Sequence, residues 1–325
     1  MPHEQKNNCS WRPTSTLETL RARADIISRI RGFFAERGVL EVETPLLSHA
    51  TVTDPYVIGI PAMYRAGNQE QIVFLQTSPE LAMKRLLAAG SGSIFQMGKA
   101  FRQGDVGQNH NPEFTMLEWY RVGFDHHDLM NEMDELLQGV LKTAPAERLT
   151  IAEVFEKYVG INPHVASVEE LAACAKQKIN LHDEIFDQNT WLDLLFTHCI
   201  EPFIGQERPV FLYDFPVSQA ALAKIRPENP PVASRFEVYF KGIELANGFH
   251  ELLEVHEQRK RFENDLAYRA QHHMPAVSID ENFLAALAHG MPDCAGVALG
   301  VDRLVMLALQ RDSIADVLSF VFENA

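Results

Sequence analysis

Strand-like segments occur at 94–98, 114–122, 209–215, 235–247 and 296–301, and several adjoin through loops with no room for a crossover helix. A parallel pair needs a crossover of a dozen or more residues, whereas antiparallel strands need only a turn. The expected sheet is therefore mostly antiparallel. Helical patterns flank it, so the fold class is α+β.

The flanking elements carry their own start and stop signals. Ser15-Thr16-Leu17-Glu18 reads as a capping box, and Leu20, Ile27, Ile30 and Phe34 repeat at helical spacing until Gly38, predicting a helix over about 16–37. Val39 to Glu43 is β-favourable and stops at Thr44-Pro45, where proline lacks the donor of a central ladder. Ile72 to Gln76 reads as a strand. Thr77-Ser78-Pro79-Glu80 then opens a helix with a hydroxyl cap, proline in the first turn and an acid near the positive end of the dipole, and Gly90 ends it. Between about 125 and 205 the apolar spacing is helical, through Leu129, Met133, Leu136, Leu137 and Val140, then Val154 and Tyr158, then Trp191, Leu194 and Leu195. This predicts a helical insertion within one domain spanning 1–325.

Composition excludes several functions. The 325 residues allow two domains, or one large domain with an insertion. With 29 Lys+Arg against 44 Asp+Glu the net charge is −15, so no broad basic surface exists to neutralise a nucleic-acid backbone. The longest apolar run, Cys294 to Val301, falls far short of the roughly 20 residues of a membrane span. Met1 to Trp11 lacks the apolar stretch of a secretory signal. Cys9, Cys174, Cys199 and Cys294 are spaced like neither a disulfide framework nor a CxxC pair, which predicts reduced thiols and a cytoplasmic location.

Three constellations carry chemistry. Ala100-Phe101-Arg102-Gln103-Gly104-Asp105 leads through a loop to His110-Asn111-Pro112-Glu113-Phe114, and the strand that follows sends Phe114, Met116, Glu118 and Tyr120 to one face. A solvated hairpin accounts for any one of these charges, less readily for their combination. Glu237, Glu244 and Glu251 stand seven apart, which does not put them on one strand face unless a bulge or turn at Gly242 or Gly248 changes the parity. Gathered together they would need a divalent cation or a substrate ammonium to relieve their repulsion, while solvent-facing acids on an amphipathic strand remain the plainer reading. Gly296 to Met306 is a glycine-interrupted strand entering an apolar helix. There Gly300 allows close approach of a ligand and Arg303 can meet an anion, although such glycines equally serve packing.

Other motifs fail. His250-Glu251-Leu252-Leu253-Glu254 imitates a zincin HExxH but has Glu254 where the second histidine belongs. The doublets His126-His127 and His272-His273 read as solvated. No GxxxxGK[ST], no GxSxG and no strand-borne GxGxxG occurs.

Taken in order, these constellations resemble the three signature motifs of the class II aminoacyl-tRNA synthetases. The first helix, its strand and Pro45 look like motif 1, Phe101-Arg102 through Tyr120 like motif 2, and Gly300-Val301-Asp302-Arg303 like motif 3. The phrases TSPE, HNPEFTMLEWY and GIELANGFHEL are similar to the lysyl branch, and the resemblance runs from Leu17 to Leu309. Motif 1 begins within about 40 residues of the start, too few for the OB barrel that grips an anticodon. The chain thus resembles the truncated lysyl-type paralogues that attach (R)-β-lysine to elongation factor P.

That resemblance implies activation of an amino acid by ATP with Mg²⁺, followed by transfer to a lysine of elongation factor P. It also implies a homodimer without stable tRNA binding. Arg102 and Arg303 would be the catalytic residues, on the α- and γ-phosphates. Gln103, Gly104, His110, Asn111, Phe114, Glu244, Leu245 and Gly300 would complete the ATP site, with Glu237 and Glu244 as metal ligands. Ser78, Pro79, Glu80, Glu118, Tyr120, Asn247, Glu251 and Ala298 would surround the substrate. Two departures stand out: Gln103-Gly104 replace the Asn-Glu usual in the synthetases, leaving Asp105 as the nearest acid, and Ala298 stands where they have glycine. The alternatives are a tRNA-charging synthetase without an anticodon domain and a non-catalytic regulatory paralogue.

Overall fold

Helix α1 (Leu17–Glu36) begins at Thr16, whose hydroxyl accepts from the Thr19 amide at 3.2 Å. Ser15, expected in the cap, instead donates to the Asp316 carbonyl at 2.6 Å. The computed structural model describes residues 11–104, 106–179 and 186–325; Cys9 and Asp105, singled out above, lie outside them. Strand β1 (Leu40–Glu41) is cut short before Thr44-Pro45. Next come β2 (Leu47–Ser48), β3 (Pro61–Ala66) and β4 (Gln69–Leu75), which form a small sheet in the order β2-β4-β3. Helix α2 (Glu80–Ala88) follows, with the Ser78 hydroxyl accepting from the Glu80 amide and Gly90 at φ 87° beyond its end.

The chain then lays down β5 (Ile94–Phe101), β6 (Glu113–Val122) and α3 (His126–Leu141). Strand β7 (Glu147–Thr150) runs into α4 (Ile151–Tyr158), α5 (Val168–Lys178) and α6 (Gln188–Cys199). After these come β8 (Val210–Pro216), β9 (Ile225–Arg226), β10 (Val232–Phe240), β11 (Ile243–His250), α7 (Val255–Gln271), α8 (Glu281–His289), β12 (Cys294–Gly300) and α9 (Val301–Ala308). The main sheet has the order β1-β5-β6-β12-β11-β10-β8-β7, with β9 beside β10. Among the described residues only β1/β5 and β7/β8 pair parallel. The α+β, mostly antiparallel expectation holds.

Segment 235–247 is a hairpin, not one strand. Lys241 at φ 52° and Gly242 at φ 68° make the tight two-residue turn, whose twist matches that of the flanking strands. The stretch 125–205 also divides. Leu129, Met133, Leu136, Leu137 and Val140 put α3 into the core behind the main sheet, and β7 joins the sheet itself. Only α4 to α6 pack as a separate helical layer, around Trp191 and against β8.

Alternation along β6 sets the two faces of the sheet. Leu117 and Trp119 enter the core with Phe95, Phe34 and Val297, where Phe34 stacks on Phe95 at 4.5 Å and meets Trp119 edge-on at 5.3 Å. Burial of this aromatic cluster is a dominant stabilising contact, and truncating Trp119 to alanine would cost about 3–5 kcal/mol. The even positions of β6 therefore face the opposite side. Helices α2 and α8 close that side at one end, with Met83, Leu87, Phe283 and Leu287 packed together.

Candidate active site

Strand register gathers the polar residues into lateral rows. Glu118 on β6 pairs with Ala298 on β12, Ala298 with Asn247 on β11, and Asn247 with Glu237 on β10. Laterally paired residues project from the same face, so these four line one row of a cleft of about 1260 Å³. The neighbouring row is Tyr120, Gly296, Phe249 and Arg235. A Cβ on Gly296 would lie 2.3 Å from the Tyr120 ring and 2.6 Å from Glu251 Oε1, so glycine is required for the cleft floor to close here. A register shift between Val238 and Tyr239 changes the parity, pairs Tyr239 with Glu244, and brings Glu237, Glu244 and Glu251 to one cleft.

One end of the cleft is cationic. Arg303, in the first turn of α9, donates to the Asn109 carbonyl at 3.1 Å and the Glu244 carbonyl at 2.8 Å, and lies 2.6 Å from His110 Nε2. Among the described residues no carboxylate pairs with it, so its charge remains available to an anion. Arg102 lies over the Phe114 ring, 5.2 Å from its centroid, with its buried Nε lacking an acceptor among the described residues. A buried donor without a partner is costly and marks a place for a ligand oxygen. A Cβ at Gly300 would make ordinary van der Waals contact with the Arg303 side chain at 3.8 Å and the Leu245 carbonyl at 3.9 Å.

The other end is anionic. Glu118 is fixed by two hydroxyls, Tyr120 Oη and Ser78 Oγ, each donating at 2.6 Å. Burial, reinforced by the Glu80 charge, pushes its pKa up to about 8. Burial likewise raises Glu251 to about 7, with Lys84 pulling the other way and Glu80 adding to the rise. Lys84 Nζ stands 2.7 Å from Glu80 and 2.6 Å from Glu251.

Several expected site residues have other duties. Gln103 and Gly104 are exposed in a turn outside the cleft lining, because Gln103 is drawn to the Ile58 carbonyl and Gly104 takes φ 86°. Pro79 is buried behind Ser78, again outside the lining. The Asn111 side chain donates to the Glu113 carbonyl and accepts from the Phe322 amide, so its amide group positions the loop. His126, read as solvated, is buried at 2.9 Å from Arg226 and 3.6 Å from Asp214, whereas His272 is exposed. Sequence reasoning also missed Lys84, four residues after Glu80, and Arg235, two before Glu237 on one strand. Those spacings put each pair on one face.

Glu237 is held by Arg235 and by Tyr239 Oη at 2.7 Å. Burial and then the Glu237 charge raise the Glu244 pKa, against the pull of Arg303, Arg102 and Arg235. Hard oxygen donors of this kind suit Mg²⁺. No group of three or more His, Cys, Asp or Glu side chains poised for a metal occurs among the described residues, so phosphate or water oxygens would complete such a shell.

The family model for class II tRNA synthetases (D, K and N) matches residues 4–324. The chain belongs to that family. Its relatives include the elongation factor P (R)-β-lysine ligase of Vibrio atlanticus, 54% identical over 320 residues, 97% of this chain and 99% of that protein. The ligase of the same description from Haemophilus influenzae is 52% identical over 317 residues, 97% and 98% of the two chains. That from Salmonella typhimurium is 52% identical over 320 residues with the same coverage. Strand β6 and helix α9 carry the residues read as motifs 2 and 3, and Glu118, Tyr120 and Arg303 from them line the cleft. No helix among the described residues is long and apolar enough to cross a membrane.

Proposed function

We propose that the chain is an ATP-dependent, AMP-forming ligase that activates (R)-β-lysine and transfers it to the ε-amino group of a lysine on elongation factor P. The observation that carries this reading is the polarity of one cleft: two arginines that pair with no carboxylate among the described residues at one end, three acids at the other. An adenylate of a diamino acid has the matching polarity, phosphates at one end and ammonium groups at the other. The full-length relatives named as such ligases point the same way.

In the first step the amino-acid carboxylate attacks the ATP α-phosphorus, forming the acyl-adenylate and releasing pyrophosphate. Arg102 would hold the α-phosphate and Arg303 the γ-phosphate, with Phe114 under adenine and His110 beside it. Asn111 acts through the loop it fixes. In the second step the acceptor amine attacks the acyl carbonyl, loses a proton, and expels AMP. Positioning and charge stabilisation suffice for both, without a protein nucleophile. Glu237 and Glu244 would hold Mg²⁺, which supplies charge neutralisation at the phosphates when bound. Glu80, Glu118 and Glu251 face the ammonium groups, and Ser78, Tyr120, Asn247 and Ala298 shape the walls around them.

The protein acts in the cytoplasm, as a homodimer and without stable tRNA binding. Exposed Leu40, Leu46 and Leu47 beside the edge strand β1 favour the dimer, and the −15 charge disfavours tRNA. ATP–pyrophosphate exchange with each lysine isomer tests the activation half: exchange dependent on (R)-β-lysine is expected, and none with either isomer contradicts the reading.

A further inference from the structure

The anionic end contains a charged group for which the reaction above has no use. Lys84 follows Glu80 by one turn of α2, bridges Glu80 and Glu251, and its side chain is only 1% exposed. The Phe283 ring of α8 lies 5.8 Å from its ammonium. Burial alone would lower its pKa, but Glu251 and then Glu80 hold it above the usual lysine range, so it is an ammonium at every working pH.

The other titratable groups facing this end are few. Strand β6 contributes Glu118 and Tyr120, whose phenol burial and then the Glu118 charge keep neutral. Strand β12 contributes Cys294, whose thiol is kept protonated by burial and then by Glu251. Three carboxylates beside one ammonium therefore carry at most two net negative charges, reached as Glu118 and Glu251, held up at about 8 and about 7, give up their protons. Glu251 Oε2 is buried and lies 2.6 Å from the Lys84 ammonium.

We infer that Lys84 is a built-in counter-ion that limits this end of the cleft to two negative charges, complementary to a substrate carrying two ammonium groups. The inference rests on the reading of the cleft as a lysine site and adds the means by which a diammonium substrate is selected. Lys84 is a positioning residue: it ion-pairs Glu80 and Glu251, pulls Glu251 toward its ionised form and touches no reacting atom. Without it, the buried acids would hold their protons more tightly, and the substrate would displace them at greater cost.

Calorimetric titration with 1,4-diaminobutane, which spaces its two amines as (R)-β-lysine does, tests this without ATP or acyl transfer. Wild type is expected to bind it at least tenfold more tightly than butylamine, and equal affinity would overturn the inference whatever the variants do. In Lys84→Met we expect diamine affinity at pH 7 to fall at least tenfold, recovering as the pH is raised to 9, the displacement of a proton by about one pKa unit. The KM for the amino acid should rise in parallel, with kcat and the KM for ATP within about threefold of wild type. Lys84→Arg, which keeps the charge, should retain the wild-type pH dependence. An equal loss at every pH in Lys84→Met, unchanged affinity in it, or the same pH shift in Lys84→Arg would each refute the role. Diamine selectivity in a protein that activates neither lysine isomer would refute the proposed reaction and leave the counter-ion standing.

Discussion

Arg303 Nη1 donates to the Glu244 carbonyl at 2.8 Å, so the motif 3 arginine is fastened by the backbone of a residue whose carboxylate lies in the same cleft. The bond fixes the guanidinium without neutralising it. Arg102 is set differently, over the Phe114 ring and with a free Nε.

Both arrangements preorganise charge, and losing one such contact typically costs about 3 kcal/mol, roughly a hundredfold in rate. Arg102→Ala and Arg303→Ala should each suppress pyrophosphate exchange to that extent with circular dichroism unchanged. Wild-type exchange in both would remove these residues from the reaction.

Proton linkage gives a second expectation. With Glu118 raised to about 8 and Glu251 to about 7, the empty cleft holds protons near neutrality. A bound ammonium favours the ionised carboxylates and expels those protons, so amino-acid affinity should rise from pH 6 to pH 8. It falls again only as the substrate's own amines lose their protons. Calorimetry in buffers of different ionisation heat should detect proton release at pH 7; a pH-independent KM over that range would contradict the assignment.

How much of this was legible before the structure depends on the residue. Phe114, Glu118 and Arg303 were readable because strand alternation and a helix start place side chains by local rules, whereas Arg102, one residue past β5, was read from its motif. The gathering of Glu237, Glu244 and Glu251 was not, because it depends on a bulge at Val238/Tyr239 and on pairing between distant strands. Helix α3 looked like part of an insertion because helical periodicity reports an apolar face without saying which core receives it. His126 looked solvated for the same reason: its partners, Arg226 and Asp214, are remote in sequence.

Ala298 lies between Glu118 and Asn247 in the lateral row, so its methyl group stands in the cleft floor. A methyl in a substrate pocket is worth about 1–3 kcal/mol of discrimination. Ala298→Gly should narrow the preference for (R)-β-lysine over L-α-lysine by improving use of the α isomer, read as the ratio of kcat/KM values. An unchanged ratio would sink the role given to Ala298.

The edge strand β1, with Leu40 exposed beside Leu46 and Leu47, argues for self-association. Light scattering should give a dimer at micromolar concentration, and Leu40→Lys should weaken it. A wild-type monomer at that concentration would count against the dimer.

The central claim is the identity of the acceptor, and intact mass measures it directly. Purified protein, ATP, (R)-β-lysine and Mg²⁺ are incubated with elongation factor P and tRNA together. We predict that elongation factor P gains the mass of one lysyl residue on a single lysine side chain while tRNA remains uncharged; aminoacylated tRNA with unmodified elongation factor P would contradict the account.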